Sequence, residues 1–305
     1  MKNLESRIWS LEINMRLFVL LILMLAVPLT ACQVGKRGFK SPTFASIKAK
    51  TPMQIEAEKA YADKNFSGAI TNYETLLQSD PNNPEYLLGL ANSQRRKGDS
   101  DAAISNYEKI IMMNDKNVEA LEGKGLALMD KSQFQAANDA LMKVLEVDAS
   151  RWKTLNALGV TSSLIGEHDL ALDYYMSAMQ MSSDNPVVMN NLGLEHAFLR
   201  NYQSAIGFFN RALTRVGGDK DKTRQIDMNL ALVYGISGKS DEAENILRKY
   251  MDEAKVYNNL GIYAHLANDN DLATSYLNKA LTSSPDVYQA AWDNLKRIEP
   301  LAGKN

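Results

Sequence analysis

Few side chains in this chain could carry chemistry, and their spacing argues against most of the reactions they might serve. His168, His196 and His265 are the three histidines, and none has a second histidine or a cysteine at the i,i+3 or i,i+4 spacing that a metal site on a helix needs. No metal or other cofactor is expected. The stretch Gly235-Ile-Ser-Gly-Lys-Ser240 has the end of a phosphate-binding loop, but the G-x-x-x-x-G-K-[ST] pattern puts glycine at 233, where this chain has valine. Neither a G-x-S-x-G elbow nor a dinucleotide fingerprint is present. The chain is therefore expected not to be an enzyme. One cysteine, Cys32, remains, and a single thiol makes neither an internal disulfide nor a thiolate cage.

The surroundings of Cys32 suggest a use for it. Leu17 to Val27 is an uninterrupted apolar run behind Arg16, matching the charged and apolar parts of a secretory signal and falling short of the ~20 apolar residues of a spanning helix. The next four residues, Leu29-Thr30-Ala31-Cys32, resemble the lipobox of bacterial lipoproteins. That resemblance implies a signal peptide over residues 1–31, cleavage after Ala31 and acylation of Cys32, with Met15 as a possible start. Two or three acyl chains would hold the protein on a membrane without a protein span. Gln33, in place of the aspartate that favours inner-membrane retention, implies transport to the outer membrane and a periplasm-facing protein. Residues 32–49 then form the lipidated N-terminus and a tether carrying Lys36, Arg37, Lys40 and Lys48 without an acidic residue. These charges are read either as ordinary solvation or as attraction to anionic headgroups.

Positioning elements come next, and the sequence repeats itself. Ala69, Ala103, Ala137, Ala171 and Ala205 are spaced by 34 residues, and Ala243 and Ala273 follow after one lengthening and one shortening by four. Twelve residues before each lies another small residue: Ala57, Ala91, Gly125, Gly159, Gly193, Ala231 or Gly261. A fixed period of this length signals a solenoid of helix pairs, in which each repeat covers the apolar face of the next. Large apolar residues follow the alanine by four: Tyr73, Tyr107, Leu141, Tyr175, Phe209, Leu247 and Leu277. Ser284-Pro285 closes the last unit.

These residues resemble the tetratricopeptide repeat, whose two antiparallel helices cross closely at small side chains. The resemblance implies an all-α fold, a tetratricopeptide-repeat superhelical solenoid of about seven helix pairs over residues 50–287, with a capping helix and tail over 288–305. Tyr288, Ala291, Trp292 and Leu295 have helix spacing, and Trp292 is expected to pack. Lys124 and Asn138 stand where the repeat has apolar residues, and Val216 to Lys222 is expected to be an inserted polar loop.

A solenoid of this kind presents the first helix of each pair to a partner. At equivalent inward positions stand Asn190 with Asn191, Met228 with Asn229, and Asn258 with Asn259; Asn156 takes the corresponding place one repeat earlier. Leu194, Leu232 and Ile262 follow one turn later, and Phe198 and Leu266 lie further along. Asparagine amides both donate and accept, so this ladder is expected to hold a peptide backbone while the apolar residues form pockets. A formal net charge of −2 gives no pull toward nucleic acid. A lipidated protein built of such repeats resembles the assembly lipoproteins of tight-adherence (Flp) pili. This implies a protein scaffold or pilotin-like chaperone whose partner is a secretin or other pilus component. An envelope adaptor that recruits cell-wall hydrolases or synthases is the alternative.

Overall fold

The computed structural model describes residues 50–283 and 288–298. The leader, Cys32, the tether to residue 49 and Ser284-Pro285 lie outside the described residues. Within them are fifteen α-helices and no strand. The chain divides into two compact units after Met181. The first holds α1 (Pro52–Ala62), α2 (Phe66–Ser79), α3 (Pro84–Lys97), α4 (Ser100–Met113), α5 (Val118–Asp130), α6 (Phe134–Val147), α7 (Trp152–Leu164) and α8 (His168–Met181). The second holds α9 (Pro186–Phe198), α10 (Tyr202–Arg215), α11 (Lys220–Ile236), α12 (Ser240–Leu247), α13 (Glu253–Leu266), α14 (Asn270–Thr282) and α15 (Gln289–Ile298).

Each odd-numbered helix from α1 to α13 pairs with the helix that follows it. Within each unit the second helix of a pair also packs on the first helix of the next, and successive first helices touch. This is the tetratricopeptide-repeat solenoid, four pairs in the first unit and three plus a closing helix in the second. Local chemistry starts the helices where the pattern needs them. Asn83 sits at the N-cap of α3 and accepts from the backbone N–H groups of Glu85 (3.0 Å) and Tyr86 (3.3 Å), with Pro84 at the first helical position. Thr51, Asn65, Asp99, Asn117, Asn185, Asp219, Asp252 and Asp269 cap eight further helices in the same way.

The small residues let the paired helices approach. All seven repeat alanines, Ala69 to Ala273, are completely buried. In four pairs the large residue four positions after the alanine covers the small residue of the first helix: Leu141 over Gly125, Tyr175 over Gly159, Phe209 over Gly193 and Leu277 over Gly261. A Cβ built on Gly159 would lie 2.5 Å from the Tyr175 ring, and one on Gly261 would lie 2.7 Å from Leu277 Cγ and 3.2 Å from the Ala273 carbonyl oxygen. Real Cβ atoms essentially never lie as close as 2.5 or 2.7 Å, so any larger residue at these two places forces Tyr175 or Leu277 to shift.

The turn inside each pair has one geometry, repeated seven times. The residue five before the repeat alanine has positive φ in every case: Lys64 (62°), Gly98 (98°), Ser132 (58°), Gly166 (90°), Arg200 (60°), Gly238 (81°) and Asn268 (66°). The next backbone N–H then reaches back five residues to a carbonyl of the first helix. Examples are Asn65 to Ala60 (2.8 Å), Gln133 to Leu128 (2.9 Å) and Asn201 to His196 (2.8 Å). That pairing satisfies carbonyls the helix end would otherwise leave open. Glycine occupies the left-handed position in only three repeats, and Lys64, Ser132 and Arg200 hold it against the usual steric preference.

Two expectations need correction. Lys220 to Lys222 are helical: Asp219 caps α11, and only Val216 to Asp219 remain as a turn, with Gly217 and Gly218 at positive φ. The four extra residues make α11 a 17-residue helix, and the compensating deletion leaves α12 with eight. Since four residues are close to one helical turn, both changes keep the buried faces in phase. Trp292 does not pack. Ala291, Leu295 and Ile298 face the core beside Leu277 and Ala280, while Trp292 stays exposed under the Lys296 ammonium, 5.1 Å from its ring centroid. Lys124 and Asn138 fit by pairing: Lys124 Nζ meets Glu108 at 2.7 Å, and Asn138 Oδ1 accepts from Thr161 at 3.4 Å.

Two sets of substitutions test these constraints by thermal or urea unfolding. Gly159→Ala and Gly261→Ala should each destabilise by about 1–3 kcal/mol through overpacking, whereas Gly207→Ala, which has open space, should not. Lys64→Gly, Ser132→Gly and Arg200→Gly should each stabilise by about 0.5–1 kcal/mol by relieving left-handed strain. Unchanged midpoints for those three would mean the turn carries no strain.

Candidate partner-binding surface

The structure separates the twelve proposed groove residues. Asn156 lies on α7 of the first unit, and the other eleven lie on α9, α11 and α13 of the second. Four of the amides face protein. Asn156, Asn190, Asn229 and Asn258 are buried. Asn229 Nδ2 donates to Asn190 Oδ1 at 2.7 Å, tying α11 to α9. From the closing helix, Asn294 Nδ2 donates to Asn258 Oδ1 at 2.9 Å. A buried amide left without partners would be costly, so these pairs hold successive helices in register. Asn190, Asn229 and Asn258, expected to hold a peptide backbone, thus each spend part of their amide on a neighbouring helix, and Asn229 Oδ1 is left without a hydrogen-bond partner. Asn259 is half-buried, and its amide donates to the Lys255 carbonyl at 2.8 Å.

What remains on that face is largely apolar. Leu194 and Leu232 are buried; Phe198, Met228, Ile262 and Leu266 are partly exposed, as is Asn191. Lys255 is charged, and Asp252 neutralises it at 2.5 Å. The surface therefore offers aliphatic and aromatic contact.

In the first unit the corresponding face carries charges, and they bind one another. Arg95 Nη1 meets Asp130 at 3.1 Å, joining α3 to α5. Glu122 receives Arg151 Nη2 at 3.0 Å and the Thr154 hydroxyl at 2.8 Å, joining α5 to α7. Gln54 Nε2 donates to Glu85 at 3.3 Å, joining α1 to α3. The Tyr107 hydroxyl donates to Asn92 Oδ1 at 2.6 Å, and burial pushes its pKa up to about 12. Sequence reasoning missed these seams, although the polar residue three places before the small residue recurs at Gln54, Glu122, Asn156, Asn190 and Asn258.

Among the described residues no group of His, Cys, Asp and Glu is placed to hold a metal ion. No helix there is long and apolar enough to cross a membrane. His196 lies in the last turn of α9. Its ring stacks on Phe208 at 5.2 Å, its Nδ1 is buried, and burial lowers its pKa against the opposing pull of Glu195.

Residues 48–192 match the tetratricopeptide repeat, and residues 254–287 match it again as a separate unit. No curated protein matches the chain. Among solved structures, a tetratricopeptide repeat protein from Parabacteroides merdae is similar over 81% of this chain and 97% of its own, at 15% identity and TM-score 0.59. A chain of the APC/C hetero-tetramer Cut9-Hcn1 is similar over 80% of this chain and 48% of its own, at 18% identity and TM-score 0.62. A thermophilic repeat protein from Thermus thermophilus is similar over 59% of this chain and 97% of its own, at 20% identity and TM-score 0.53. These likenesses are of fold.

The His196 environment gives a pH dependence. In the unfolded chain this histidine protonates near its ordinary value of about 6.5, but the folded protein takes the proton only at lower pH. Stability should therefore fall as pH drops below about 6.5 and level off below the folded pKa. His196→Phe, which can keep the stack on Phe208, should remove that part of the slope in urea unfolding between pH 7 and 5. A slope identical in the variant would assign the acid sensitivity to other groups.

Proposed function

We propose that this chain, which belongs to the tetratricopeptide-repeat family, is a non-enzymatic outer-membrane lipoprotein that binds and chaperones a component of a Tad/Flp-type pilus or its secretin. The repeats make it a protein-binding scaffold. The finer reading rests on the lipobox-like Leu29-Thr30-Ala31-Cys32, on Gln33 for sorting, and on a layout that resembles TadD of the tight-adherence pilus. Acylated Cys32 would anchor the scaffold and deliver its cargo to the same membrane.

The observation that carries the binding role is the partly exposed apolar face of the second unit: Phe198 on α9, Met228 on α11, and Ile262 and Leu266 on α13. Its buried asparagines set helix spacing, so affinity would come from apolar contact. Hot spots of this kind sit in a few well-packed side chains rather than across the whole area.

The test is photo-crosslinking in cells from Met228 and Ile262 in the full-length chain, with identification of what is trapped. A secretin or pilus subunit recovered from both positions, and lost on Leu266→Asp, is the expected result. Capture of cell-wall hydrolases or synthases instead would replace the pilus reading with that of an envelope adaptor. Cys32→Ala should release the chain from the membrane fraction.

A further inference from the structure

The first unit carries a second surface that partner binding on the first helices does not use. Its second helices, α4, α6 and α8, bury the repeat alanine and the residue four beyond it, and turn their opposite sides outward. On those outer sides large apolar residues recur in register. Met142 and Met176 stand five places after the repeat alanine, and Met113, Val147 and Met181 stand ten places after it. All five are exposed, and Met112 beside them is 79% exposed, the most open large apolar side chain of the described residues. The corresponding positions of α2 are Glu74 and Ser79, and those of α10 are Asn210 and Arg215, so the row belongs to α4, α6 and α8 alone. Spread over three helices, these six side chains together leave on the order of 600 Å² open, short of the ~800 Å² per partner of a standard interface.

Next to the row is a hollow of about 470 Å³ between the end of α4, α5 and α6. Ile111, Leu121, Ala140 and Val147 give it apolar walls, and Lys116, Lys124 and Lys143 line it together with Asp115 and Glu146. Met112 follows directly on Ile111 in α4, so a projecting apolar side chain stands beside an apolar hollow. A lining with both signs of charge is complementary to itself under a two-fold rotation, which brings lysines of one copy opposite carboxylates of the other. Acidic residues outnumber basic ones over residues 50–181, which disfavours an anionic lipid surface as the partner of this unit.

We propose that the outer face of α4, α6 and α8 is a self-association surface. In it, Met112 of each copy enters the hollow beside Ile111 and Val147 of the other, and the Lys143 and Glu146 side chains are exchanged across the two-fold axis. Methionine suits this role, because its flexible, polarisable side chain fills irregular gaps. The partner is a second copy of this chain, and the surface on α9, α11 and α13 takes no part.

Two differently tagged full-length chains, co-expressed and purified in detergent, test the proposal by co-purification and sedimentation velocity. The wild-type chain should give a dimer. Met112→Asp should weaken it at least tenfold while the far-UV circular dichroism melt stays unchanged, since Met112 packs against little in its own chain. Lys143→Glu alone should weaken the dimer, and Lys143→Glu combined with Glu146→Lys should restore it, a recovery that a general loss of folding cannot produce. A monomeric wild type, a dimer indifferent to Met112→Asp, or no recovery in the double reversal overturns the proposal. If Met112→Asp instead abolishes flotation on phosphatidylethanolamine–phosphatidylglycerol vesicles while the chain sediments as a monomer, the row is a lipid-contact surface and the self-association reading fails.

Discussion

The close crossing of two helices at a residue with almost no side chain is the constraint on which the rest of this structure depends. Four times a large side chain lies over a glycine of the paired helix, as Tyr175 does over Gly159 and Leu277 over Gly261. Because the gap is filled by a side chain from the opposite helix, neither partner can change size alone. Once this crossing is set, the turn that joins the helices has one available path, and the residue five before the alanine must take positive φ whatever its identity. The buried asparagines and ion pairs then register one pair against the next.

This hierarchy explains what could be read from the sequence. Small residues twelve apart at a 34-residue period are legible because the crossing accepts nothing larger, and so the helix pairs follow from a pattern of absent side chains. The left-handed turns were not legible. Lys64, Ser132 and Arg200 satisfy a tertiary requirement that their own preferences do not advertise, and only Gly98, Gly166, Gly238 and Asn268 signal it.

The candidate surface was legible in position and not in depth. Periodicity places Asn190, Asn229 and Asn258 on one side of their helices, but it does not say that the neighbouring first helix comes near enough to take their amides. The same limit applies at Trp292, whose helical spacing marks an apolar partner although α15 turns Ala291, Leu295 and Ile298 inward instead. Asp219, a good helix-capping residue just after Gly217-Gly218, was the available signal that the helix begins at Lys220. The outer methionines carry the repeat's own period and were hidden because attention to helical faces favours the side that is buried.

The seams between successive first helices are built from different chemistry in the two units. Arg95 with Asp130 and Arg151 with Glu122 join helices of the first unit by opposite charges near the surface, whereas Asn190 with Asn229 and Asn258 with Asn294 join helices of the second by neutral amides. Counter-ions screen the former and leave the latter almost untouched. Ionic strength therefore acts on these seams unevenly: rising salt weakens the more exposed Arg95–Asp130 pair of the first unit, while the neutral amide pairs of the second keep their contribution.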